Sequence, residues 1–140
     1  MNTPAGGAAP VAPYLVVDDA DAAIDFYRRA FAALELHRVT DDDGVRILHA
    51  ALLINGGLVM LSDEAADGHT AGCRTPQAHG GTTVTVHLAV DDADVCWQRA
   101  LAAGAEVVMP ITDQLWGERY GRLRDPFGHM WSLGAPLPPP

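Results

Sequence analysis

Lysine is missing altogether from this 140-residue chain, whose nine basic residues are all arginine. That excludes a Schiff-base lysine and a phosphate-loop lysine whatever the fold. Positive charge is scarce as well: 9 basic against 18 acidic residues leave a net charge of −9, which argues against nucleic acid, whose phosphates would be repelled. The two cysteines, Cys73 and Cys96, are too few for a disulfide framework. Cys96 falls in a helical pattern and reads as an inert buried thiol. No apolar run has membrane length and no secretory signal pattern is present, so the chain reads as cytoplasmic. GxSxG, HExxH, a CxxC pair and a nucleotide-binding loop are all absent. Aromatic residues make up only 6%, so the place of each ring matters. The length suits one domain with a proper core.

The stretch from Asp113 to Leu133 is the densest in signals. Asp125-Pro126-Phe127-Gly128 has Pro second and Gly fourth, as a type I turn prefers. Arg119 to Arg124 and His129 to Leu133 flank it as paired strands. Trp116 and Tyr120 lie just before or within the first of these. Each is a large ring with one polar atom, a good wall for a small-molecule pocket. Ordinary core aromatics are the competing account.

Along the chain, positions 1–10 read as a frayed leader. Pro13 to Val17 reads as a strand. Asp19 or Asp21 can cap a helix to about Ala33, with Ala20, Ala23, Ile24, Tyr27, Ala30, Phe31 and Leu34 on its buried face. Leu34 to Val39 is a strand. Thr40 to Gly44 is a solvated turn whose acids do not match a calcium loop. Val45 to Ile54 and Leu58 to Ser62 form a hairpin about Asn55-Gly56-Gly57. Positions 63–81 show no periodicity and read as a linker or lid. Then the pattern restarts. Val86-His87-Leu88-Ala89-Val90-Asp91-Asp92-Ala93-Asp94 repeats Pro13-Tyr14-Leu15-Val16-Val17-Asp18-Asp19-Ala20-Asp21, an offset of 73 residues from Asp18 to Asp91. A helix to Ala103, a short strand at Ala105-Glu106-Val107 and the Asp125 hairpin follow. The expectation is an α+β fold of two tandem βαβββ units, at 11–62 and 82–135, with a Pro-rich tail at 136–140. Each half-sheet would be curved, and pairing two such faces would enclose a cavity.

Asp-Pro-Phe-Gly-His followed by Trp-Ser-Leu, at 125–133, resembles the last hairpin of the vicinal oxygen chelate superfamily. That group holds glyoxalase I, bleomycin- and fosfomycin-resistance proteins and extradiol dioxygenases. Trp116-Gly117, Arg119-Tyr120-Gly121 and Arg124-Asp125-Pro126 resemble its PhnB-like branch. The resemblance runs from Pro13 to about Leu133 and implies the same two-unit, cavity-enclosing fold.

In metal-dependent members four side chains hold one divalent ion with two substrate oxygens. The resemblance places those positions at Ala12, five before Val17; at Thr85, five before Val90; at Ser132, four after Gly128; and at Met60, Leu61 or Ser62. None is a normal metal ligand. His87 lies two residues after Thr85 and so shares its face. It is a candidate general base, shifted ligand or hydrogen-bonding group, against the plainer account of a half-buried, paired histidine. Tyr14 is its counterpart in the first unit, and the two are expected to face each other across the cavity. Arg119 could hold an anionic group, or pair with Glu118 on the surface. The candidate ligand-binding set is Tyr14, His87, Trp116, Arg119, Tyr120, Met130 and Ser132.

Two functions are expected from this. One is a metal-free homodimer that sequesters a planar or aromatic small molecule, an antibiotic or toxin. The other is a lyase, isomerase or dioxygenase using His87, or one divalent ion at a displaced site drawn from His49, His87 and a linker histidine. No nucleic-acid or membrane partner is expected, and no adenosyl-binding loop supports a methyltransferase.

Overall fold

The computed structural model describes residues 11–65 and 74–139, which leaves the 1–10 leader, His69 and Cys73 outside the described residues. The repeated Asp-Asp-Ala-Asp motif has a physical meaning: it starts both long helices. Asp19 caps α1 (Ala20–Phe31) by accepting the Ala22 N–H at 3.0 Å, and Asp92 caps α3 (Ala93–Ala103) by accepting the Val95 N–H at 3.1 Å. Such caps satisfy backbone donors that the first helical turn leaves orphaned. Arg28 and Arg29 in the last turn of α1 complement the helix dipole.

Two four-stranded mixed sheets surround these helices. The first has the order β1-β4-β3-β2, from β1 (Tyr14–Val17), β2 (Leu34–Thr40), β3 (Ile47–Ile54) and β4 (Gly57–Asp63). The second has the order β5-β8-β7-β6, from β5 (Thr85–Ala89), β6 (Glu106–Asp113), β7 (Glu118–Arg124) and β8 (Met130–Pro136). In both, the first strand runs parallel to the last. The chain is thus two tandem βαβββ units, and the sheets are not closed into a barrel. Asn55 and Gly56, with φ of 52° and 80°, form the two-residue β3–β4 turn. The left-handed backbone suits Asn-Gly and matches the strand twist.

Two elements exceed the expectation. The strand after α3 is eight residues long rather than three. It tolerates Pro110 because that residue sits in a register shift on the sheet edge, where a missing N–H costs no ladder bond. The 63–81 connection is partly structured: a turn of helix, α2 (Pro76–His79), is capped by Thr75. Gln77 there donates to the Phe127 carbonyl at 3.0 Å.

One core serves both units. Leu15, Val17, Ile24, Tyr27 and Leu61 belong to the same buried cluster as Trp97, Leu123, Trp131 and Leu133. Phe31 of α1 lies 4.8 Å from Trp131 of β8, ring centre to ring centre. The hairpin tips cross over reciprocally. Asn55 of the first unit donates to the Ala89 carbonyl of β5 at 2.6 Å, and His129 of the second lies 2.9 Å from the Val16 carbonyl of β1.

At the centre of the joint is Asp125, only 3% exposed. Its Oδ2 accepts from the Tyr27 hydroxyl at 2.5 Å and the Trp131 indole N–H at 2.8 Å. Its Oδ1 accepts the backbone N–H of Phe127 and of His129, both at 2.9 Å. A buried carboxylate so fully bonded is a sound structural element. Burial first, and the facing carboxylate second, push the Tyr27 hydroxyl well above its ordinary value.

Candidate functional site

Each sheet turns one face to the helices and leaves the other open, because successive residues of a strand point to opposite sides. On the second sheet, Leu123, Trp131 and Leu133 point to the helices and are fully buried. Thr85, His87, Tyr120, Met130 and Ser132 share the opposite face, as the pairings Thr85–Met130, His87–Ser132 and Tyr120–Gly134 require.

That face carries an ordered aromatic cluster. His87 Nδ1 lies 2.8 Å from Ser132 Oγ. When Ser132 donates, Nε2 carries the proton. Nε2 faces Glu118 Oε2 at 4.0 Å, too far for a hydrogen bond. The Tyr120 ring stacks beside His87 at 5.9 Å, with Trp116 edge-on to Tyr120 at 5.5 Å. The Trp116 indole N–H donates to Glu118 Oε1 at 2.7 Å, which fixes a ring that is 60% exposed. Arg122 donates to the Tyr120 hydroxyl at 3.0 Å. The cluster depends on Gly134, which lies between the flanking side chains. A Cβ there would come within 2.5 Å of Glu118 Oε2 and 2.9 Å of His87 Cε1.

The first sheet has a separate open-face group. The Tyr14 hydroxyl is 3.0 Å from His49 Nδ1, and the His49 ring is 5.3 Å from that of His37. Tyr14 is thus turned to His49, and among the described residues no hydrogen bond or ring contact joins it to His87. Tyr14 and Met130 instead line a cleft of about 250 Å³ where β1 meets the start of β5. The structure therefore brings His87, Trp116, Tyr120 and Ser132 together and leaves Tyr14 and Met130 at a neighbouring seam.

Arg119 lies away from all of them. It pairs with Ala135, on the helix side of β7, and binds Asp94 of α3 at 2.9 Å and Asp113 at 2.8 Å. Asp113, then Asp94, hold its pKa above the ordinary guanidinium value. Glu118, the alternative partner in sequence, instead receives Trp116. Sequence reasoning passed over Gly134 and left His37 and His49 unplaced. The β3–β4 turn carried the missing signal: a two-residue turn sets Ile54 opposite Gly57 and so puts Ala51 opposite Met60. Residues 49 and 51 then share the face of Tyr14, which pairs with Met60.

The four positions that the resemblance assigns to a divalent ion do not fit one here. Ala12 offers a methyl, while Thr85 and Ser132 offer neutral hydroxyls. On β4, Leu61 is fully buried against the core, so only Met60 or Ser62 reaches the open face. A thioether and hydroxyls are poor ligands for the ions that imidazole and carboxylate take. Among the described residues no three His, Cys, Asp or Glu groups are placed to share an ion. No helix of the described residues is long and apolar enough to cross a membrane.

Three comparisons extend these observations. An uncharacterised protein of Mycobacterium bovis is 56% identical over 127 residues, covering 91% of this chain and 83% of that protein. The crystal structure of TioX from Micromonospora sp. ML1 superposes with a TM-score of 0.72 at 33% identity, over 93% of this chain and 100% of that one. A putative glyoxylase, CFP32, of Mycobacterium bovis is 30% identical over 125 residues, 89% of this chain but only 42% of that protein. The model of the Glyoxalase/Bleomycin resistance protein/Dioxygenase superfamily matches residues 8–133. With the two βαβββ units and the hairpin at Asp125, this chain belongs to that superfamily.

Proposed function

We propose that this protein binds a planar or aromatic small molecule on the open face of its second unit without using a metal ion. The supporting observation is Trp116: a large ring left 60% exposed, yet held in place by its indole bond to Glu118. An exposed but fixed aromatic loses little freedom when it takes up a ligand. Tyr120 and His87 continue the wall, and Arg122 and Glu118 supply polar groups at its margin. The donor set at the family's ligand positions supports a metal-free mode. A homodimer fits this reading, the open face of one copy being covered by another. Sequestration of an antibiotic or toxin is the corresponding role, since the family's name includes bleomycin resistance proteins.

A panel of planar natural products screened by thermal shift should yield a ligand that quenches tryptophan fluorescence. Trp116→Ala should then weaken binding at least ~10-fold while stability changes by less than about 0.5 kcal/mol. Equal affinity for the variant would remove Trp116 from the site.

A second reading is favoured by one observation, the His87–Ser132 contact. It holds the imidazole in a single orientation and leaves Nε2, 4.0 Å from Glu118, without a hydrogen bond to it, so that this nitrogen can exchange a proton with a substrate. Here His87→Ala should abolish turnover with the fold intact. Elemental analysis of chelator-free protein addresses the displaced-metal form of this reading: stoichiometric metal would favour it, and its absence after soaking would eliminate it.

A further inference from the structure

Eight of the nine arginines bond to a carboxylate, a backbone carbonyl or, for Arg122, a tyrosine hydroxyl. Arg99 is the exception among the described residues. It stands on α3 and lines a cleft of about 390 Å³ at the seam of the two units, whose walls include none of Tyr14, His87, Trp116 or Tyr120. This size lies within the ~300–1,000 Å³ of small-molecule sites. The end of α1, the β3–β4 turn, the end of β5 and α3 form its walls. Phe31, Leu34, Leu53, Leu88 and Val90 make the lining apolar, and no carboxylate takes part in it. In a chain with 18 acidic residues, a guanidinium without an anion beside an apolar slot is an unusual combination.

We propose that this seam cleft is a second binding site, one that takes a small apolar carboxylate. The carboxylate pairs with the Arg99 guanidinium, whose fork geometry matches it. The hydrocarbon part runs inward towards Phe31 and Leu88, both less than a tenth exposed. Leu34, 60% exposed at the start of β2, gains cover when the slot is filled. The site is independent of the Trp116 face.

Cys96, half-buried rather than fully buried as its helical pattern suggests, lines the same cleft and reports on its occupancy. With Cys73→Ser removing the other thiol, decanoate should slow alkylation of Cys96. Decan-1-ol should need at least ~10-fold higher concentration, and Arg99→Ala should weaken decanoate by a similar factor, with Arg99→Lys recovering part of it. Leu34→Glu, which places a carboxylate on the wall of the cleft that Arg99 also lines, should abolish protection. Trp116→Ala should leave decanoate protection unchanged, which separates this site from the aromatic one. The proposal fails if decanoate does not protect Cys96 or protects it equally in Arg99→Ala. It also fails if Trp116→Ala removes the protection, since the ligand then sits on the open face.

Discussion

Tyr14 and His87 hold equivalent places in the repeat, yet they reach different distances across their sheets. Tyr14 on β1 spans the intervening β4 and meets His49 on β3; His87 on β5 stops at its neighbour, Ser132 on β8. Two strand spacings are about 9.5 Å, a gap that a tyrosine and a histidine can close together. In the second unit the far strand makes up the distance instead, because Glu118 and Tyr120 lean over Gly134 towards His87. Duplicated backbones therefore bear different chemistry, decided by which strand carries the long side chain and which carries none. The hairpin tips differ too. The first uses a neutral Asn-Gly turn, the second a buried carboxylate that gathers four donors.

The largest test of that contrast is Asp125→Ala. It strands Tyr27, Trp131 and two backbone N–H groups, and should cost upwards of about 4 kcal/mol in urea unfolding. A loss under about 1 kcal/mol would make the two hairpins energetically alike after all. Tyr27→Phe should cost about 2 kcal/mol below pH 10. The folded Tyr27 holds its proton more tightly than the unfolded one. Its contribution is therefore complete below the ordinary value of 10.0 and is lost as the pH rises from there towards the folded value. Stability measured from pH 8 upward should fall less in Tyr27→Phe than in the parent; parallel curves would show that this phenol does not drive the alkaline loss.

Gly134→Ala should cost about 1–3 kcal/mol through overpacking and should separate His87 from Glu118. NMR contacts between the His87 ring and the Glu118 side chain should then weaken, and unchanged ones would mean that the two side chains re-pack without parting. The smallest effect is expected at the first hairpin. Asn55→Ala loses the bond to the Ala89 carbonyl and places alanine at a φ of 52°, about 1 kcal/mol together. Asn55→Gly should retain the turn and cost less, and thermal melts would rank the pair.

Much of this architecture is legible in local pattern. The two Asp-Asp-Ala-Asp segments announce two capped helices, and the repeat around them announces two units. What eluded the sequence depends on alternation and distance. Arg119 was grouped with Trp116 because they are close in the chain, but neighbours along a strand face opposite ways, and Arg119 went to α3. The His37–His49 pair follows only once the β3–β4 register is known, and a one-residue uncertainty at Asn55 exchanges the faces. Asp125 reads as a good turn residue, which it is. Nothing local reveals that its other oxygen waits for a hydroxyl 98 residues earlier.

That separation makes the joint indifferent to covalent connection. The phenol comes from one half of the gene product and the carboxylate from the other, so either can be supplied by a second polypeptide without altering the bond. Two molecules that traded halves would rebuild the same contact in trans, twice over. The Tyr27–Asp125 clasp thus makes the packing of each half conditional on the presence of the other.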